Sequence, residues 1–318
     1  MKQVFKSAMG LINNSKSIYI TSHINPDGDA IGSMFSLYIA LKNMGKDVHV
    51  IMPNCSDRFN FLEEIKFAEE NVYIDKYDLC IVLDCSNIDR IAMSKEGFNK
   101  AEKKLVIDHH INNNIESDLT VIDSKSPATC EIVYELLTCE NVYIDKEIAK
   151  YIYMGMLTDT GSFNYRNTTS KTHRIVADLL DTGIDFAYIC KMVNDTMKEN
   201  KLKLVAYAIN NIETFKDGKI KYVKISNNVL KDLGISDEDS DCVVNYLRCI
   251  EGVDIAIYAR EMTDGTYKVS LRSNGDVDVS KSAIKLGGGG HINASGFSVN
   301  EEIDNVKDEI IEIVGVNL

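Results

Sequence analysis

Four short stretches of the chain hold residues able to do chemistry. They are His23-Ile-Asn-Pro-Asp27-Gly-Asp29, a lone Asp84, Asp108-His109-His110, and Asp159 within Leu157-Thr-Asp-Thr-Gly. Imidazole nitrogens and carboxylate oxygens are a hard-to-borderline donor set suited to manganese, magnesium or a related divalent ion. Each stretch also has a plain alternative. Asp29 could be the N-cap of the helix that follows it, Asp84 could cap a loop, the His pair could be structural, and Asp159 could close an Asx turn. Taken together they supply enough donors for two ions sharing one carboxylate. Such ions, roughly 3.5–4 Å apart, activate a water and neutralise a phosphoryl group under in-line attack.

A second set lies near the C-terminus. Gly287-Gly288-Gly289-Gly290 runs into His291-Ile-Asn-Ala-Ser-Gly296. Consecutive glycines cost backbone entropy and suit a place where the backbone must come close to something. Their N–H groups could nest an anion. No Gly-Lys-Ser/Thr follows, so this is not a nucleotide-binding P-loop. Arg272 ends a strand-like run, where its guanidinium could grip a terminal phosphate with two parallel hydrogen bonds.

The elements that must position these groups can be read from periodicity. Residues 17–22, 48–52, 79–83 and 104–107 are apolar, β-prone runs, with helical periodicity over 30–44 and a short helix expected at 58–64. The chemistry-bearing residues begin where three of these strands end. Strands alternating with helices predict a mostly parallel sheet flanked by helices, with ligands at the carboxyl ends of its strands. Helices are expected at 128–137, 146–157, 171–180 and 198–211. Beyond them, strands at 219–226, 253–260 and 267–272, with helices at 237–249, 279–284 and 301–314, predict a smaller α+β domain. The expected organisation is α/β: a catalytic domain at 1–197, a connector helix at 198–211, a substrate-binding domain at 212–318, and an active-site cleft between the two domains.

In its motifs and their order the chain resembles the DHH phosphoesterases. His23–Asp29, Asp84, Asp108-His109-His110 and Asp159-Thr160-Gly161 match that family's four motifs. Gly287–Gly296, with Arg272-Ser273-Asn274, looks like the signature of the DHH-associated domain, subfamily 1. The resemblance covers nearly the whole chain and is strongest to compact bacterial members that act as oligoribonucleases and as phosphatases of 3′-phosphoadenosine 5′-phosphate (pAp). It implies one ion held by His23, Asp27 and Asp84 and another held by Asp29, Asp84, His109 and Asp159, with Asp84 bridging. It also implies that His110 sits by the scissile phosphate, that Asp108 orients the histidines, and that Arg90 meets a substrate phosphate or a domain interface. Substrate would be held by Arg272, Ser273, Asn274, Gly288, Gly289, Gly290 and His291. Manganese is the implied metal, with magnesium or cobalt as alternatives.

Composition narrows the partner. The chain has 318 residues, 45% hydrophobic and 26% charged, with 35 basic against 48 acidic side chains for a net −13. That balance, shared by both halves, opposes a broad surface for long duplex DNA or an anionic membrane. Short RNA oligonucleotides or small nucleotides, held by a few placed groups, fit better than a processive single-strand exonuclease. Hydrolysis of cyclic or linear dinucleotides is the main alternative, and inorganic pyrophosphatase activity a weaker one. No apolar stretch approaches the roughly 20 residues of a membrane span, no signal peptide is evident, and the eight cysteines include no C-x-x-C pair. A reduced, cytoplasmic protein is expected. The chain could form a homodimer, although no heptad marks an interface.

Overall fold

The computed structural model describes residues 1–236, 238–316 and 318, arranged as two compact units, Met1–Thr196 and Met197–Leu318. In the first unit six strands form one sheet: β1 (Ser17–Thr21), β2 (Asp47–Ile51), β3 (Ala68–Glu69), β4 (Tyr77–Leu83), β5 (Ala101–Asp108) and β6 (Leu119–Ile122). Their spatial order is β3-β2-β1-β4-β5-β6, and every neighbouring pair is parallel. The order reverses between β1 and β4, which is the switch point where open parallel sheets bind ligands.

The helices of this unit are α1 (Lys2–Asn14), α2 (Gly28–Asn43), α3 (Lys95–Asn99), α4 (Thr129–Cys139), α5 (Lys146–Asp159), α6 (Ser170–Asp181) and α7 (Phe186–Cys190). The sheet buries both faces. Ile18 and Ile20 point into a core shared with α1, α2, α4 and α5, while Tyr19, Tyr77, Cys80 and Val82 fill a smaller core on the other side with Phe98 of α3. Each fully buried isoleucine is worth about 1.5–3 kcal/mol relative to exposure. Helices α2 and α5 approach closely because their contacts are small: a Cβ on Gly32 would stand 2.6 Å from the Tyr151 carbonyl oxygen, and one on Gly155 2.9 Å from Asp29 Oδ1. This packing sets the first turn of α2 beside the last turn of α5.

The second unit has its own six-stranded sheet, with β7 (Glu213–Phe215), β8 (Ile220–Ile225), β9 (Ile255–Glu261), β10 (Tyr267–Ser273), β11 (Gly289–His291) and β12 (Ala294–Val299) in the order β11-β12-β10-β9-β8-β7. Only β8 and β9 pair in parallel. Helices α8 (Glu199–Asn210), α9 (Asn227–Leu233) and α10 (Val243–Arg248) cover one face. On the other face, α11 (Ser280–Lys285) and α12 (Ile303–Gly315) close a core with Ile257, Val269, Leu271 and Phe297. Leu204 and Ala208 of α8 are buried against Val223 and Tyr258, so this helix packs as part of the second unit.

Several local expectations change. The helix expected at 58–64 is two 3₁₀ turns, Asp57–Phe59 and Glu63–Phe67, because only Phe59 and Leu62 are buried there and a full helix would have no apolar stripe to dock. Of the helix expected at 237–249, residue 237 lies outside the described residues, and the rest divides into a 3₁₀ turn, Glu238–Cys242, and α10. All eight cysteines are free thiols. No helix among the described residues is long and apolar enough to cross a membrane.

Candidate metal centre and phosphate-binding hairpin

Three strands deliver the site. The loop after β1 carries His23 and runs into Asp27 and Asp29, the end of β4 carries Asp84, and the end of β5 carries Asp108, His109 and His110. Asp159 closes α5. Asp27, not Asp29, is the N-cap of α2: its Oδ1 accepts from the backbone N–H of Asp29 and Ala30 at 3.0 and 3.1 Å. The helix begins at Gly28, which places Asp29 inside the first turn with its side chain turned inward and fully buried. Asp29 does cap a helix, but a different one. Its Oδ2 accepts from Thr129 N at 2.6 Å and its Oδ1 from Cys130 N at 2.9 Å, at the start of α4.

Asp84 lies at the centre with its side chain only 3% exposed. Its Oδ2 is 3.8 Å from His23 Nε2, and that nitrogen is 3.9 Å from Asp27 Oδ2. Its Oδ1 is 3.5 Å from His109 Nε2, which is 3.4 Å from Asp159 Oδ2. The two oxygens of one carboxylate therefore face two different donor groups, His23–Asp27 and His109–Asp159, and Asp29 joins the second group. Asp84 has φ +51°, a left-handed conformation that Asp tolerates better than most residues and that a strand end at a working site can hold as strain.

The electrostatics call for a cation. Burial drives the Asp84 carboxyl well above the usual range, and repulsion from Asp29, Asp27, Asp159 and Asp108 adds to it. Burial likewise raises Asp159 and Asp29, for Asp29 against the lowering effects of His109 and the Cys130 N–H. Among the described residues, no lysine or arginine is in ion-pair contact with Asp27, Asp29, Asp84 or Asp159; the charged partners of Asp27, Asp84 and Asp159 are histidines. Four converging carboxylates with imidazoles as their nearest basic groups match the donor chemistry of divalent ions.

Asp108 has a separate task. Although burial alone would raise it, His110 and Asn113 hold its carboxyl below the usual range. Its Oδ1 meets His110 Nδ1 at 2.7 Å and accepts from the backbone N–H of His109 and His110, while its Oδ2 accepts from Asn113 Nδ2 at 2.8 Å. In return the bond to Asp108 raises the His110 imidazole against the opposing effect of burial. Arg90 is exposed beside this centre, and its carbonyl accepts from Ile24 N at 2.7 Å, tying its turn to the His23 loop.

The sequence does not single out Thr129, Cys130 or Asn113. Thr129 Oγ1 donates to Asp84 Oδ1 at 3.1 Å across 45 residues of chain. Only Asn113, five residues beyond Asp108, offers a local hint, as a polar residue in the loop that follows the strand.

Family models match both units. The DHH family N-terminal domain matches residues 17–156 and the DHHA1 domain residues 217–315. The bifunctional oligoribonuclease and PAP phosphatase NrnA of Thermus thermophilus is 32% identical over 305 residues, covering 93% of this chain and 89% of that protein. The chain belongs to the DHH phosphoesterase family. It is a hydrolase of that family. The NrnA of Mycoplasma genitalium is 29% identical over 316 residues, 98% of each chain. An exopolyphosphatase-related protein from Bacteroides fragilis superposes with a TM-score of 0.92 at 28% identity, over 99% of this chain and 96% of that one. RecJ of Thermus thermophilus shares the fold, with a TM-score of 0.58 at 13% identity.

In the DHHA1 unit the second half of the glycine run opens a strand. Gly289, Gly290 and His291 pair with Gly296, Ser295 and Ala294, and β12 pairs in turn with β10, setting Ala294 opposite Arg272. Val269 and Leu271 point into the core, so Arg272 points to the opposite face, as do Ala294 and, across the next strand, His291. The hairpin is pinned at its turn: Ser273 N donates to the Asn293 carbonyl and Asn293 Nδ2 to Ser273 Oγ, at 3.1 and 3.0 Å. Ser273 Oγ donates to the Val277 carbonyl, and Asn274 Nδ2 donates to the carbonyls of Arg248 and Val253. Ser273 and Asn274 thus spend polar atoms holding the strand end from which Arg272 projects.

Proposed function

We propose that this chain hydrolyses short oligoribonucleotides to mononucleotides and pAp to AMP, using divalent ions, with manganese the preferred one. The observation that carries the reading is the match over nearly the whole chain, through both domains, to relatives named bifunctional oligoribonuclease and PAP phosphatase, in a chain whose His23, Asp27, Asp29, Asp84, His109 and Asp159 side chains gather in groups that could hold a metal ion. His23, Asp27 and Asp84 would hold one ion, and Asp29, Asp84, His109 and Asp159 the other. Bound ions would supply an activated water and neutralise charge on the phosphoryl group.

The chain's own residues do the rest. Asp108 takes the Nδ1 proton side of His110, which leaves Nε2 to present a proton to a phosphoryl oxygen, and the raised imidazole keeps that proton near neutral pH. Arg272 and His291 would grip a substrate phosphate over the small floor of Ala294 and Gly289, with Gly288 and Gly290 shaping the hairpin and Ser273 and Asn274 bracing it. Arg90 would meet a further phosphate. A net charge of −13 favours such local grips over tracking along a polymer.

The test is a manganese-supplemented panel of pAp, di- to pentaribonucleotides, pApA, cyclic di-AMP, single-stranded DNA and pyrophosphate, ranked by kcat/KM. Short ribonucleotides and pAp should lead. A lead for pyrophosphate, cyclic di-AMP or long DNA would sink the reading.

A further inference from the structure

Helix α4 starts without a capping side chain of its own: its N-cap is Ala128. The first residue, Thr129, is fully buried and touches two of the centre's carboxylates at once. Its backbone N–H goes to Asp29 Oδ2 at 2.6 Å and its hydroxyl to Asp84 Oδ1 at 3.1 Å. Asp84 Oδ1 is the oxygen that faces His109, while Oδ2 faces His23. A carboxylate with two oxygens assigned to two donor groups works only if its plane cannot rotate. Among the described residues, the Thr129 hydroxyl is the side-chain contact of the Asp84 carboxylate within hydrogen-bond range, since the three histidine nitrogens stand 3.5–3.8 Å away.

We propose that Thr129 is a positioning residue for the metal centre: its hydroxyl fixes the rotation of Asp84 while its N–H fixes Asp29, so that one helix start sets the carboxylate geometry of both ion sites. The inference rests on the two-ion reading above. Removing the hydroxyl leaves Asp84 free to turn toward one donor group at the expense of the other. Hydrogen-bond partners of metal ligands usually carry about 10–100-fold in metal affinity.

The experiment is calorimetric titration of manganese into the EDTA-stripped full chain, with circular dichroism to check folding. Wild type should take up two ions. Thr129→Val, which keeps the shape and removes the hydroxyl, should bind about 10–100-fold more weakly. It should lose kcat more than it raises substrate KM, and it should regain turnover when manganese is raised. Thr129→Ala is measured beside it in case the valine disturbs the tight packing, and Thr129→Ser, which restores the hydroxyl, should bind as wild type does. Wild-type manganese affinity in Thr129→Val, or a Thr129→Ser variant as weak as Thr129→Val, would overturn the proposal. A wild-type chain that takes up no ion at all would overturn the two-ion reading and this inference with it.

Discussion

Arg272 and His291 stand on either side of the same residue, Ala294, on one face of the DHHA1 sheet and two strands apart. At the usual strand spacing this separates their Cα atoms by about 10 Å. Ala294 between them, and Gly296 and Gly289 in the next row of that face, have little or no side chain. A cationic fork and an imidazole rimming a floor of this kind suit a phosphate with a flat group beside it. Replacing either with Ala should act on KM for short oligonucleotides and pAp, by about tenfold or more for the charged Arg272. kcat should change less. A collapse of kcat with unchanged KM in Arg272→Ala would place the guanidinium outside substrate binding.

The four glycines separate into those the fold requires and one it does not. Gly287 and Gly290 have φ of +81° and +141°, and a Cβ on Gly288 would lie 2.1 Å from the Gly296 carbonyl oxygen. Gly289 has neither a positive φ nor any atom within 4 Å of where its Cβ would be. Gly289→Ala should therefore fold and gain about 0.4–1 kcal/mol from the stiffer unfolded chain. Its substrate KM should nevertheless rise, since the new methyl intrudes on the Arg272–His291 face. Gly288→Ala should lower Tm. Steady-state kinetics and thermal melts on the pair test this directly, and unchanged KM in a well-folded Gly289→Ala would remove the hairpin from recognition.

How much of this was legible beforehand depended on where the constraint lies. Strands β1, β4 and β5 could be read because a buried parallel strand is a plain apolar run, and polar, chemistry-bearing residues (His23, Asp84 and Asp108) stand at or just beyond their carboxyl ends. The two-residue β3, the four-residue β6 and the short β7 carry too little pattern to see. Strand β11 could not be read at all, since glycines have no strand preference and the pairing comes from their close fit against β12. In the site, the metal-ligating residue types were visible, and their grouping follows from the switch point. The cap of α2 was displaced by two residues, from Asp29 to Asp27. The partner of Asp29 lies 100 residues away, and only the docking of α4 against α2 brings it there.

Asp84→Asn is expected to separate stability from activity. Asn also accepts the left-handed backbone found at this position, so the loop should survive. Removing a buried charge that four other carboxylates repel should raise the Tm of the metal-stripped chain. The same change removes the oxygen pair that faces both donor groups. Activity should fall at least about a thousandfold, equivalent to roughly 4 kcal/mol of transition-state stabilisation. A variant that melts higher without metal yet still turns over at a wild-type rate would contradict the bridging role.

The Asp108–His110 pair predicts a pH effect on rate. Asp108 holds the His110 imidazole above its ordinary value, so a proton needed on His110 persists to higher pH. Asp108→Asn keeps an acceptor oxygen but loses the charge. The alkaline limb of the kcat profile should then move to lower pH, while the bond from Asn113 Nδ2 to the Cys85 carbonyl keeps the loop in place. If the limb stays where it is, the proton presented to the phosphoryl group does not come from His110.

Stability without metal should run opposite to that of a protein held by ordinary ion pairs. Asp84, Asp29 and Asp159 are all raised in the folded chain relative to an unfolded Asp near 3.9. A raised folded-state carboxyl binds protons more tightly folded than unfolded, so its contribution is fully present at low pH and is lost as pH rises through the folded value. His110 is raised too and acts in the same direction. Asp108, which is lowered, opposes this only as pH falls toward 4. The EDTA-treated chain should therefore lose Tm as pH rises from about 5 to 8. Manganese should restore most where the loss is greatest, with proton release on binding near neutral pH. Thermal melts at a series of pH values, with and without manganese, decide it. A metal-free Tm that climbs across this range would mean that the carboxylates are not held together against their own charge.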